Sequence, residues 1–312
     1  MKLSELVNYL NVLDNIDLDL ECRSLVNKFR AIEHTISNHP LQIDEFISNF
    51  NRNLKNISSN ISGAQQTINN IKNYICKNIA ELEPAYYQNS RLTYEGEMRQ
   101  ATAYMLLNRR LDIDQDGELH LRSRLSIYTD WRVSGIIIGP GLEKFIEHLV
   151  PLDPLYLVDQ RQELLDPAMQ LFPEAYQRRL RPYEINDLDD QDILWQLPSN
   201  QFGLIFAYNY FNFKPMEILT RYLDSMYAKL RPGGAAIFTF NNCDLAHGVS
   251  LAEAKFMRYT PGREIRAHAN SLGFELVSEH RGRGNLSWME LKKPGEITSI
   301  RGGQALAKIV AN

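Results

Sequence analysis

The run Ser134-Gly135-Ile136-Ile137-Ile138 passes without interruption into Gly139-Pro140-Gly141. A short aliphatic stretch bounded by turn formers predicts a strand buried on both faces. A helix is expected from about Leu142 to Val150. A glycine turn between strand and helix lets a ligand approach the backbone closely and offers it free amides at the helix start. The next element, Leu155-Tyr156-Leu157-Val158, predicts a second strand and ends in Asp159, 20 residues after Gly139. A carboxylate there can accept both hydroxyls of a ribose; its other reading is a solvated loop residue or helix cap. The third glycine of a dinucleotide fingerprint is replaced by Lys144, which makes NAD or FAD the weaker nucleotide reading.

Beyond this point short aliphatic runs alternate with amphipathic stretches, the pattern of a parallel α/β sheet. Leu197-Pro198-Ser199-Asn200-Gln201-Phe202-Gly203-Leu204-Ile205-Phe206 leads into a fourth strand. An amphipathic helix then ends in Leu230-Arg231-Pro232-Gly233-Gly234 and gives way to a strand from Ala235 to Phe240. Thr260-Pro261 can start a later helix, followed by Gly273-Phe274 and Leu286-Ser287-Trp288-Met289-Glu290-Leu291.

Taken in this order, these features resemble the class I (Rossmann-like) S-adenosylmethionine-dependent methyltransferases over about 160 residues. The helix, L-R-P-G-G and strand succession is the most specific of them. The resemblance implies a doubly wound, mostly parallel sheet of methyltransferase type, closed by antiparallel strands, and S-adenosylmethionine as cofactor. It would lay Gly139, Pro140 and Gly141 against the methionine part and give the ribose to Asp159. The adenine amino group would go to Asp187, with Asn186 as a close rival. Tyr208, Asn209 and Tyr210 would face the methyl group and substrate, a packing role being the alternative for both tyrosines. The implied reaction is methyl transfer to an oxygen or nitrogen nucleophile. Two positions depart from the family: Ile137 replaces an acid two residues before the first glycine, and Gly203 replaces an Asp. The alternative is therefore a non-catalytic docking or structural protein displaying a degenerate domain. His247, His268 and His280 are candidate bases by residue type only, and Arg281, Arg283 and Arg301 form a modest basic cluster.

Upstream, the chain is rich in Asn, Ile and Ser with helical spacing. Ile43, Ile47, Phe50, Leu54, Ile57, Ile61, Ala64, Ile68, Ile71 and Ile75 follow one another at alternating steps of four and three. That 3.5-residue repeat predicts a coiled coil over about 41–83, between Pro40 and Pro84, and isoleucine at both core positions favours a trimer. The competing reading packs this helix on the chain's own stripe of Leu25, Phe29, Ile32 and Ile36. The division expected is a helical region at 1–125, an α/β domain at 126–295 and a tail at 296–312. Asp112-Ile113-Asp114-Gln115-Asp116-Gly117 copies the opening of a calcium loop, but Ser123 stands where the bidentate Glu belongs. A polar turn is the preferred reading, with no metal.

Hydrophobic residues make up 44% of the 312-residue chain and charged residues 23%, values of a globular protein. A formal net charge of -4 speaks against a strongly basic nucleic-acid binder. No apolar run reaches the roughly 20 residues that span a bilayer, and the start reads as too polar for a signal peptide. Cys22, Cys76 and Cys243 form neither a disulfide framework nor a metal pattern, so a cytoplasmic setting is expected. The asparagine- and isoleucine-rich stalk joined to this domain also resembles methyltransferase-like proteins of large tailed bacteriophages. That resemblance implies host cytoplasm or virion as location and virion structural proteins as partners.

Overall fold

Three successive isoleucines supply two different layers. The computed structural model describes residues 2–14, 61–99, 112–140, 143–282 and 286–296, and in it β1 (Ser134–Ile138) is buried at every position. Ile136 and Ile138 join one apolar layer and Ile137 the other, as the two-residue period of a strand requires. Ahead of β1 stand α1 (Leu3–Asp14), α2 (Ile61–Arg99) and α3 (Gln115–Tyr128). After it come a 3-10 turn (Glu143–Phe145), α4 (Ile146–Leu149), β2 (Leu155–Asp159), α5 (Gln162–Gln170), α6 (Glu174–Gln177) and β3 (Leu180–Glu184). Next are β4 (Phe202–Ala207), a second 3-10 turn (Phe211–Phe213), α7 (Met216–Lys229), β5 (Leu230–Phe240), α8 (Ala246–Glu253), α9 (Gly262–Leu272), β6 (Glu275–His280) and β7 (Ser287–Lys292). The helix expected over 142–150 is thus only a 3-10 turn followed by the short α4.

The strands form one seven-stranded sheet in the order β3-β2-β1-β4-β5-β7-β6. Pairing is parallel from β3 through β5, and β7 runs antiparallel to both its neighbours. This is the doubly wound, mostly parallel sheet of methyltransferase type, with its antiparallel closure. The central strands β1 and β4 are wholly buried. The edge strand β3 carries Arg181 and Pro182 exposed, features that discourage further strand pairing. Leu-Arg-Pro-Gly-Gly opens β5 rather than preceding it: Phe202 pairs with Leu230 and Leu204 with Ala235, so the motif bulges out of the ladder. Gly203 lies at that shift, and a Cβ there would overlap the Val133 side chain. The family's Asp has no room at this position.

One layer packs Leu219, Tyr222 and Met226 of α7 and Ile265 and Ala269 of α9 on the sheet. The other packs Leu121, Leu125 and Tyr128 of α3, with Leu149 and Leu165. Helix α3 is fastened to β7 by polar contacts as well. Arg124 donates to both oxygens of the fully buried Glu290 at 2.6 and 2.7 Å, and Tyr128 donates to it at 2.6 Å. The domain boundary expected at 125/126 therefore falls inside a helix that belongs to the α/β core. Asp114 caps α3, accepting the Gly117 amide at 2.8 Å and meeting His280 at 3.0 Å, while Asp112 pairs with Lys144 at 2.6 Å. The polar turn thus has structural work for both aspartates.

The predicted coiled coil ends differently in the structure. Pro84 lies inside α2, which continues to Arg99. Ile68, Ile71 and Ile75, joined by Ile79, bury themselves against Leu3, Leu6, Val7 and Leu13 of α1 and against Val249 and Tyr259. Within the described residues this stripe is satisfied by the chain itself. Positions Ile43 to Ile57, the side chains of Ile61 and Ala64, the Leu25–Ile36 stripe and nearly all of the tail lie outside them. From Glu83 onward the packed face of α2 turns polar and aromatic. Glu83 accepts from Tyr259 Oη at 2.7 Å and pairs with Arg263, the Ser90 hydroxyl accepts the Tyr259 amide at 2.9 Å, and Tyr94 is 1% exposed.

Candidate functional site

The chain leaves β1 toward β2 and β3 on one side, then crosses back to β4 and β5 on the other. Such a reversal opens a crevice at the carboxyl ends of the strands, where α/β sheets of this kind hold ligands. Gly139 sits at that point with φ +69°, and its amide donates to the Val158 carbonyl at 2.8 Å. Pro140 is buried, and Gly141 lies outside the described residues. Asp159, closing β2, is 2% exposed and accepts the Gln160 amide at 2.7 Å.

Asp187, three residues past β3, is fully buried. It accepts from Tyr94 Oη at 2.8 Å, from Tyr222 Oη at 3.2 Å and from the Gln160 side-chain amide, and pairs with Lys214 Nζ at 2.7 Å. Asn186 beside it is exposed and builds a turn, its oxygen accepting the Leu188 amide at 3.1 Å. The two candidates for the adenine side are thereby separated: Asp187 points inward and Asn186 outward.

The three residues after β4 also part company. Tyr210 lays its ring on Gly139, where a Cβ would overlap it, and its hydroxyl meets Tyr222 Oη at 2.8 Å. Asn209 adopts φ +54°, a conformation asparagine tolerates better than most residues. Its amide donates to Thr239 Oγ1 at 2.6 Å, and its side chain accepts from Asn212. Tyr208 turns to the opposite layer, packing on Phe145 and donating to Asp112. It keeps the face of Leu204 and Phe206, as strand alternation requires, and the left-handed turn at Asn209 separates it from Tyr210 and the Asp187 cluster. His268 pairs with Asp224 and His280 with Asp114, while His247 sits partly buried on α8. None of the three takes part in the hydrogen bonds around Asp187. Arg281 is exposed, and Arg283 and Arg301 lie outside the described residues.

Several residues of the cluster carry no sequence motif. Lys214 donates to Gln160 Oε1 at 2.7 Å and to Tyr94 Oη at 2.9 Å, and lies 4.4 Å from the Tyr210 ring centroid and 5.0 Å from that of Tyr94. One local signal for it exists, a single cation between Phe213 and Pro215 in a stretch otherwise without charge. Tyr94 comes from α2, far away in sequence. Burial foremost, then the Asp187 charge and hydrogen bond, push its hydroxyl well above the usual tyrosine range. Burial does the same to Tyr210 and Tyr222, with nearby carboxylate and phenol charges adding to it. All three are held as neutral hydroxyls.

The donor set suits an adenosyl group: a glycine turn for close approach and two buried carboxylates, Asp159 closing β2 and Asp187 just past β3. The space does not suit it in this arrangement, because Tyr210 covers Gly139 and Lys214 and Tyr94 occupy Asp187. A ligand of that kind requires those side chains to withdraw.

No family model matches the chain, and no curated protein matches it. Among solved structures it is similar to the N-methyltransferase NodS from Bradyrhizobium japonicum WM9 in complex with S-adenosyl-L-homocysteine. Identity there is 15%, with 66% of this chain and 99% of that one covered at a TM-score of 0.46. A possible exported protein from Bordetella parapertussis is 16% identical, with 59% and 69% covered and a TM-score of 0.45. The geranyl diphosphate C-methyltransferase from Streptomyces coelicolor A3(2) is 10% identical, with 56% and 78% covered and a TM-score of 0.45.

Proposed function

We propose that this chain binds S-adenosylmethionine at the carboxyl ends of β1, β2 and β3 and transfers its methyl group to an oxygen or nitrogen nucleophile. The observation that carries this reading is the convergence of Gly139, Asp159 and Asp187 at the reversal point of the sheet. Asp159 would accept the ribose hydroxyls and Asp187 the adenine amino group, while the left-handed turn at Gly139 would receive the amino-acid part once the Tyr210 ring withdraws. The bound cofactor supplies an electrophilic methyl carbon, and the protein's contribution is chiefly alignment. Ile137 in place of the usual acid costs cofactor affinity more than chemistry, since its side chain belongs to the α3 layer. Tyr94 and Tyr210, once displaced, stand at the rim and exclude water.

The closure of the site favours a second reading, in which a methyltransferase-shaped domain has filled its own crevice and serves as a docking module. Thermal unfolding with and without S-adenosylhomocysteine separates the two. Ligand at 100 times its dissociation constant adds about 2.7 kcal/mol to the native state, a shift of roughly 5–10 °C for a domain of this size. The methyltransferase reading expects that shift in the wild type and its loss in Asp159→Asn. No shift in the wild type or in Tyr94→Ala establishes the self-filled module instead.

A further inference from the structure

A cleft of about 560 Å³ opens between α1, the middle of α2 and the end of α8. Its volume is in the range of pockets that hold metabolite-sized molecules. Glu253 lines it together with Lys2 and Lys255. These opposite charges share one cleft without meeting: among the described residues neither ammonium pairs with Glu253 or with any other carboxylate. Glu253 accepts only from neutral donors there, the Ser4 amide at 3.2 Å, the Ser4 hydroxyl at 2.7 Å and Tyr86 Oη at 2.8 Å. The buried Arg258, also in the wall, is already partnered and adds no open charge. A dipolar molecule, with an ammonium at one end and a carboxylate at the other, compensates both signs at once.

The hydroxyls of the wall are set for the ammonium end. A hydroxyl has one proton to give and two lone pairs to receive. The protons of Ser4 and Tyr86 go to Glu253, that of Thr93 to the Asn89 carbonyl at 2.7 Å and that of Ser250 to the Ala246 carbonyl at 3.0 Å. All four therefore face a ligand as acceptors, and an ammonium, with three protons and no lone pair, is the group that needs them. On the other side, Lys255 follows the end of α8 with φ +58°, its amide donating to the Ala252 carbonyl at 3.0 Å. Lysine thus stands where glycine or asparagine would close the helix with less strain.

We infer that this cleft binds a free amino acid, its ammonium held by Glu253 and the hydroxyl oxygens and its carboxylate by Lys2 and Lys255. Thr93 lines the cleft while the adjacent Tyr94 touches Asp187. Helix α2 therefore stands between this site and the crevice, and its binding does not depend on the methyltransferase reading.

Saturation-transfer NMR of the full chain with each standard L-amino acid finds the ligand, and calorimetric titration measures it. At least one amino acid is expected to bind saturably. Removing either charge from it, by N-acetylation or by converting its carboxylate to the amide, should weaken binding at least tenfold. Lys2→Gln/Lys255→Gln should weaken the amino acid by a similar factor and take nothing from its amide, which has no carboxylate to lose. Both lysines are exposed, so the variant keeps the fold. Saturable binding of none of the amino acids overturns the inference. So does equal binding of the N-acetyl or amide derivative, or equal binding by wild type and the lysine variant.

Discussion

The Lys214 ammonium stands 2.7 Å from Asp187 Oδ2, and both side chains are withdrawn from water. Removing one member of such a pair leaves the other charge buried and uncompensated, at a cost of about 3–5 kcal/mol. Lys214→Met is expected to lose stability on that scale in urea unfolding. The double change Lys214→Met/Asp187→Asn should recover part of the loss. A double variant as unstable as the sum of its parents would show that the pair is not energetically coupled.

Tyr94→Phe keeps the ring and deletes the hydroxyl that donates to Asp187 and accepts from Lys214 and Gln160. Stability should fall by about 1–2 kcal/mol. S-adenosylhomocysteine should bind several-fold more tightly, because a competitor for Asp187 has gone. Calorimetry checks both effects, and unchanged or weaker ligand binding would mean that Tyr94 does not compete.

Gly203→Asp restores the residue common in the resembling family and should be harmful here. The new Cβ would collide with Val133 at the bulge between β4 and β5. Overpacking of that kind costs about 1–3 kcal/mol, read as a lower urea midpoint. An unchanged midpoint would mean the bulge yields.

Burial first, and then the hydrogen bond and charge of Glu253, raise the Tyr86 hydroxyl from 10.0 to about 12. The folded state therefore holds this proton more tightly than the unfolded chain. The contribution is fully present below pH 10 and is lost as pH rises toward 12. Comparing urea midpoints at pH 9 and pH 11 should give a larger alkaline drop for wild type than for Tyr86→Phe. Equal drops would remove Tyr86 as a source of alkaline sensitivity.

How much could be read beforehand follows from which signals are local. The β1 run, the glycine turn and Asp159 share about 25 residues of sequence, and turn chemistry with apolar length suffices to place them. The isoleucine stripe of α2 is legible, but aliphatic spacing places its end too early. A search for aliphatic residues stops at Pro84, whereas the buried face goes on through Ser90 and Tyr94. Tyr94 and Asp187 are 93 positions apart, and no periodicity links a helix face to a loop across that distance. Tyr208 and Tyr210 are two positions apart and would share a face of a continued strand; the left-handed turn at Asn209 sends them to opposite layers.

Glu83 anchors α2 to Tyr259 and Arg263, and Tyr94, farther along the same helix, covers Asp187. A chain trimmed to begin at α3 would keep every strand of the sheet yet expose Lys214 and deprive Arg263 of a counter-charge. The helices ahead of the sheet are therefore no detachable handle. Sheet and helices should melt as one cooperative unit, with a single calorimetric transition for the described core.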